Sequence, residues 1–87
     1  MKRKEAKKTI NYLCGELYAE CLALVNYQNV EKTEIDSVLK NILLMQNDML
    51  SRLSHIEKGK TKLFFKKFHE DIKANTDEIV DQIKALA

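Results

Sequence analysis

The sequence predicts an all-α protein, folded as an antiparallel three-helix bundle. The 87 residues include no proline and only two glycines, so little interrupts a helix. Apolar residues recur at three- and four-residue intervals through three segments, which is the spacing of one helical face. Short polar breaks separate the segments, and short connections favour antiparallel neighbours. We therefore expect a single domain over residues 1–87.

The first helix is predicted over about residues 4–27, and residues 28–32 read as the first connection. Its apolar positions follow helical spacing: Ile10, Leu13, Cys14, Leu17, Tyr18, Cys21, Leu22, Leu24 and Val25. Gly15 interrupts this segment at a cost of about 1 kcal/mol relative to alanine. It marks either a close helix crossing or a tolerated surface position, and a functional kink is the less favoured alternative.

The second helix is predicted over about residues 34–57, with Thr33 as the N-cap residue. Its core positions repeat in heptads: Ile35, Val38, Ile42, Met45, Met49 and Ile56, widened by Leu39 and Leu53. Gly59 is typical of the left-handed residue that follows a last helical turn, so we expect the helix to end there.

The third helix is predicted over about residues 61–86. Its apolar face contains Phe65, Phe68, Ile72, Ile79, Ile83 and Leu86. Asn75 and Thr76 fall where apolar residues are expected. Either one helix carries a polar notch, or Thr76 caps a short fourth helix that begins at Asp77. A single helix is favoured, since nothing in the sequence forces a break.

The two cysteines, Cys14 and Cys21, lie on the apolar face of the first helix. Their spacing places the Cα atoms about 10 Å apart, beyond the roughly 7 Å limit of a disulfide. We expect buried, reduced thiols and a cytoplasmic protein, since neither a secretory leader nor a membrane span is evident. No metal or cofactor is expected, because His69 and its neighbours lack the spacing of metal ligands.

The second helix carries more apolar surface than one bundle needs. Residues 42–45 are four successive apolar residues and point in all directions around a helix. A surplus apolar face predicts a partner, and symmetric homodimers are the commonest outcome. The residues expected to mediate self-association are Leu24, Leu43, Leu44 and Leu50.

Two runs of basic residues are expected to meet at one end of the bundle, although the net charge is only +2. In an up-down-up topology, the start of the first helix lies beside the second connection. The ten residues are Lys2, Arg3, Lys4, Lys7, Lys8, Lys58, Lys60, Lys62, Lys66 and Lys67. The opposite end is expected to be acidic, with residues 31–36 near residues 77–81. Such a basic cluster is typical of binding to nucleic acid or another polyanion, or to an acidic protein. The favoured alternative is a lysine-rich surface that is simply solvated.

The sequence His55-Ile-Glu-Lys58-Gly59 resembles the H-x-x-K-G core of histidine phosphotransfer domains, which are also helical bundles. The resemblance covers five residues. It implies a phosphoacceptor role for His55, with Lys58 beside the phosphate. In that family the motif lies inside a helix and small residues follow, whereas here Gly59 is expected to end the helix and Leu63, Phe64 and Phe65 follow.

No nucleophile, base and orienting group can be assembled from this sequence, and it contains no phosphate-binding loop. We therefore expect a non-enzymatic helical interaction protein that self-associates. Nucleic-acid or polyanion binding is the alternative, and histidine phosphotransfer ranks third.

Overall fold

Three helices form the chain in a computed structural model, which describes residues 2–56 and 59–87. They are α1 (Arg3–Tyr27), α2 (Lys32–Leu53) and α3 (Thr61–Leu86), and the described residues contain no strand. The prediction of an all-α protein with three long helices is confirmed. None of the helices so described is both long and apolar enough to cross a membrane.

The start of α2 differs from the prediction. Thr33 is not the N-cap residue, because α2 begins at Lys32 and Glu31 occupies the N-cap position without a side-chain cap. The carbonyl oxygen of Glu31 accepts the first helical bond, from the amide of Ile35 at 3.2 Å. The connection is tight, and Asn29 takes a φ of 54°, a left-handed conformation that asparagine tolerates.

α2 also ends earlier than predicted, at Leu53. The amides of Ser54 and His55 bond to carbonyl oxygens three residues back, which tightens the chain into a turn. Gly59 therefore does not follow the last turn of α2 directly. It lies inside the connection, where its φ of 85° uses the conformational freedom of glycine.

The third helix is continuous through Asn75 and Thr76, so the alternative with a short fourth helix is wrong. Both side chains are half-buried between the core residues Ile72 and Ile79. The Thr76 hydroxyl oxygen is buried and has no hydrogen-bond partner among the described residues. The helix continues past these two polar residues because its backbone hydrogen bonds are formed within the helix.

One hydrophobic core runs between the three helices. α1 contributes Ala6, Ile10, Cys14, Leu17, Cys21 and Leu24; α2 contributes Ile35, Val38, Ile42, Met45, Met49 and Leu53; α3 contributes Phe65, Phe68, Ile72, Ile79 and Ile83. The predicted faces of α2 and α3 are largely those observed. Burial raises the pKa of the Cys14 and Cys21 thiols, which agrees with the expectation of buried thiols.

Side-chain hydrogen bonds between the helices show their register, that is, which residues lie at the same level along the bundle. Asn11 of α1 accepts a bond from Gln46 of α2 at 3.1 Å. α2 in turn bonds to α3 through Asn41 and Gln82 at 2.9 Å, and through Arg52 and Asp71. Neighbouring helices are thus antiparallel, and the start of α1 lies at the same end as the α2–α3 connection.

The molecule is slender, with principal extents of 49 × 18 × 16 Å. Its radius of gyration is 14.5 Å, whereas a compact domain of this length has roughly 12 Å. Every helix therefore has a long side that faces solvent, and surface features spread along the bundle.

Candidate functional site

The residues predicted to mediate self-association do not share one face. Leu24 is buried in the core at 6% exposure, so its assignment to a surface was wrong. Leu43 and Leu44 are both exposed, but successive helical residues point about 100° apart. Leu44 lies on the flank of α2 that meets α3, where it lines a shallow groove with Asn75 and Gln82. Leu43 lies on the flank that meets α1.

We call the outer surface between α1 and α2 the α1–α2 face. Two rows of residues at helical spacing define it: Asn11, Gly15, Tyr18 and Leu22 on α1, and Leu39, Leu43, Gln46 and Leu50 on α2. The hydrogen bond between Asn11 and Gln46 joins the two rows where α1 and α2 meet. Leu22 is 56% exposed and Leu43 is 49% exposed, while Tyr18, Leu39 and Leu50 are half-buried.

The sequence had assigned Leu22 and Tyr18 to the core stripe of α1. The exposure of Leu22 shows that this stripe is narrower than its nine apolar positions suggested. A signal was present in the sequence, because residues 11, 15, 18 and 22 repeat the spacing of residues 39, 43, 46 and 50. Matching these two rows would have identified the face.

The central part of the α1–α2 face carries no charged residue, and its charges lie at the two ends. Lys4 and Lys8 continue the α1 row toward the start of the bundle. Asp36 and then Lys32 continue the α2 row toward the α1–α2 connection. Lys8 and Asp36 are exposed, and within the part of the chain described here neither forms an ion pair.

A second surface, which we call the α2–α3 groove, lies beside the connection that joins α2 to α3. It has a volume of about 490 Å³. Its apolar side is formed by Leu63, Phe64 and Phe68, and the Phe64 and Phe68 rings stack with centroids 5.4 Å apart. Its polar rim includes Arg52, His55, Lys60 and Lys67, and among the described residues no acidic side chain lines it.

Carboxylates behind the groove hold Arg52 in place. Asp71 bonds to Arg52 and lies 3.4 Å from the Lys67 ammonium group. Asp48 approaches Arg52 at 3.0 Å from the preceding turn of α2. The hydrogen bond from Arg52, aided by the charge of Lys67, lowers the pKa of the Asp71 carboxyl. Asp71 therefore stays ionised and orients two cations at the groove.

The register places the two basic runs at one end of the bundle, but staggered along its axis. Lys2, Arg3, Lys4, Lys7 and Lys8 are exposed on α1, and Lys60, Lys62, Lys66 and Lys67 are exposed at the start of α3. On this register Lys4 lies level with Glu70, so the α3 run projects roughly 10 Å farther. Lys58 lies outside the described residues.

The expected acidic end is not formed as predicted. Gln82 bonds to Asn41, so residues 77–81 lie level with the middle of α2. The centres of the two acidic segments are therefore roughly 15 Å apart along the axis. The cause is the length of α3, which places Asp77 well before its C-terminus.

His55, the candidate phosphoacceptor, lies in the turn after Leu53 and not inside a helix. It is exposed, and its Nδ1 atom lies 2.9 Å from the carbonyl oxygen of Ser51. Because a carbonyl oxygen only accepts, Nδ1 is the donor. This position departs further from the phosphotransfer pattern, in which the histidine belongs to a continuous helix.

Metal ligands do not gather on this molecule: the described residues contain no group of three histidine, cysteine or acidic side chains that could hold an ion. No protein-family model matches the chain, and no curated protein or solved structure matches it either. Function is therefore inferred from the α1–α2 face and the basic end.

Proposed function

We propose that this is a non-enzymatic helical interaction protein that self-associates through the α1–α2 face into a two-fold dimer. The observation that supports this is the exposed, uncharged strip that runs across two helices and includes Leu22 and Leu43. Removing such apolar surface from water favours association by about 25 cal/mol per Å². The proposed interface keeps Leu43 and Leu50 from the predicted set, leaves out Leu24 and Leu44, and adds residues of α1 such as Leu22.

The charges at the ends of the face favour a second copy of this chain as the partner. On the observed register, Lys8 and Asp36 lie at nearly equal distances from the level of Gly15 and Leu43. A two-fold axis in the interface at that level, perpendicular to the helices, brings Lys8 of one copy level with Asp36 of the other. The same axis brings Lys4 level with Lys32, so by charge it is the pairing of Lys8 with Asp36 that supports this arrangement.

Gly15 fits the same arrangement. It is exposed, and an added Cβ atom would meet nothing within 4 Å, so no contact inside the bundle explains it. The sequence alternative of a close crossing within the bundle is therefore wrong. In the dimer the α1 helices of the two copies cross near this position, where glycine allows their backbones to approach closely.

Two leucines of equal exposure test this interface. Leu22 and Leu44 are each 56% exposed, but Leu44 lies on the opposite flank of α2. We expect Leu22→Glu to give a monomer by sedimentation equilibrium, because it buries an unpaired carboxylate in the interface. Leu44→Glu should leave the dimer intact. A monomeric wild type, or equal loss of the dimer in both variants, would exclude this interface.

A charge exchange tests the orientation of the two copies. Lys8→Glu places like charges level with each other and should weaken the dimer. Adding Asp36→Lys to that variant restores opposite charges and should recover the affinity. If the double variant is weaker than either single variant, the copies do not meet in this register.

A second candidate is polyanion binding at the basic end, which the common location of the two lysine runs favours. Binding to mixed-sequence duplex DNA should fall by orders of magnitude between about 50 and 200 mM salt. Replacing Lys2, Lys4 and Lys7 with glutamine should weaken it. The matched control replaces Lys32, Lys40 and Lys84 with glutamine. These residues lie away from this end, and their replacement removes the same charge. Equal effects of the two triple variants would argue against a defined site.

A further inference from the structure

We propose that the second half of α3, residues 77–86, is a cover that opens independently of the rest of the bundle and gives thiol-reactive compounds access to Cys14 and Cys21. The helix is continuous, but its attachment to the bundle differs along its length. The cover shares no residue with the α1–α2 face. The proposal therefore holds for a monomer and for a dimer alike.

Two polar residues mark where the cover begins. Asn75 and Thr76 are half-buried between apolar neighbours, and the Thr76 hydroxyl oxygen is buried without a hydrogen-bond partner among the described residues. A buried polar group without a partner destabilises the closed form, whereas water can satisfy it once the helix moves away. The attachment of α3 is therefore weakened at this level.

The half of α3 that precedes these residues is held by aromatic side chains and ion pairs. Phe65 and Phe68 are buried and meet edge to face, with ring centroids 6.0 Å apart. Asp71 pairs with Arg52 of α2 and with Lys67. This half thus combines a large apolar contact with a polar anchor to α2.

Fewer contacts hold the cover. Its buried side chains are Ile79 and Ile83, and Val80 is half-buried. One side-chain hydrogen bond, from Asn41 to Gln82 at 2.9 Å, joins it to α2. Within the described part of the chain, no side-chain hydrogen bond or ion pair joins α3 to α1, and these two helices share the least extensive contact. Segments with few buried contacts open at a lower free energy than the whole fold.

Both thiols lie beneath the cover. The hydrogen bonds that join neighbouring helices place Cys14 level with Val80, and Cys21 level with the end of α3. Neither cysteine has exposed surface, because the three helices enclose this part of the core. When the cover leaves, one of these three helices is gone. Burial then no longer raises the pKa of the thiols, so more of the reactive thiolate forms.

Native-state hydrogen exchange tests whether the cover opens by itself. We expect the protection factors of residues 78–83 to be at least about tenfold lower than those of residues 66–72. Residues 78–83 precede the last turn of α3, so fraying of the helix end does not account for such a difference. Equal protection of the two segments would show that α3 opens as one unit and would overturn the proposal.

A pair of threonine variants tests the role of the unpaired hydroxyl. Thr76→Val keeps the shape of the side chain and should raise the protection of residues 78–83 at least about fivefold. Thr9→Val is the matched control, because Thr9 is exposed and its hydroxyl donates to the carbonyl oxygen of Glu5. It should change the protection of these amides by less than about twofold. Equal effects of the two variants would contradict the proposal.

The thiols report the same opening through their chemistry. A thiolate attacks the disulfide of dithiobis(nitrobenzoate), so that a mixed disulfide forms and thionitrobenzoate leaves. We expect this reaction in the folded protein, at a rate that Thr76→Val lowers by the same factor as hydrogen exchange. Peptide mapping after cleavage at Glu16 and Glu20 separates the two cysteines. Reaction only at urea concentrations that unfold the whole chain, followed by circular dichroism, would overturn the proposal.

Discussion

α2 packs against its two neighbours in different ways. The buried residues of α1 include three small side chains, Ala6, Cys14 and Cys21, and α2 contacts α1 more extensively than it contacts α3. Toward α3 it meets large aromatic and branched side chains, and the contact is less extensive. Small residues let two helices lie close with a smooth outer face, whereas large ones hold helices apart and leave grooves between them.

This difference in packing bears on where the α1–α2 face and the α2–α3 groove lie. The α1–α2 face is the surface that we propose to bind a second copy of the chain. The α2–α3 pair is joined by Phe68 in the core and by the Arg52–Asp71 pair at its edge, and a groove opens beside them. The groove thus lies on the side of the bundle where large side chains separate the helices.

The largest expected effect concerns the aromatic side of this comparison. Phe68 is fully buried, so Phe68→Ala should lower the free energy of unfolding by about 3–5 kcal/mol. Urea unfolding followed by circular dichroism measures it. The control Leu63→Ala, an exposed position on the same helix, should change stability by less than about 0.5 kcal/mol. A small loss at Phe68 would mean that α3 packs more loosely than described.

Overpacking tests the close approach of α1 and α2. Cys14 has no exposed surface, and leucine adds volume that the site does not offer. Cys14→Leu should therefore destabilise the fold by about 1–3 kcal/mol in the same unfolding experiment. If the variant is as stable as the wild type, α1 and α2 are separated by more space than the small side chains indicate.

The two glycines can be compared directly, because a Cβ atom added at either position would have no other atom within 4 Å. In the Leu22→Glu background, which removes the proposed dimer, Gly15→Ala should stabilise the fold by about 1 kcal/mol through helix propensity. Gly59→Ala should destabilise it by about 1–2 kcal/mol, because φ at this residue is 85°. The opposite signs are measured by urea unfolding; equal signs would contradict the backbone described here.

The smallest effect concerns the ion pairs beside the α2–α3 groove. The pKa of Asp71 is lowered in the folded state, so its carboxylate stabilises the fold above the ordinary pKa of about 3.9 and loses this role as pH falls. Asp71→Asn should therefore destabilise the protein near pH 7, and its difference from wild type should shrink in acid. Asp77→Asn, at an exposed position of α3, is the control. A difference that does not depend on pH would exclude the ion pair as its cause.

The sequence predicted the helices and most of the core because periodicity reports which side of a helix is buried. It placed the ends of α2 at about residues 34 and 57 instead of Lys32 and Leu53, because backbone bonds in the two connections decide those ends. Leu22 was misassigned since two adjacent apolar rows look like one wide stripe in a linear sequence. The α2–α3 groove could not be predicted, because Arg52 and Phe64 approach only when α2 and α3 pack.

The slender shape of the molecule makes its mode of assembly visible in solution. Two rods 49 Å long that pair side by side through the α1–α2 face keep nearly the same maximum length. Two rods that meet at their basic ends, bridged by a polyanion, become about twice as long. Small-angle scattering reads this maximum length directly, so the pair-distance distribution separates lateral from end-on assembly without any substitution.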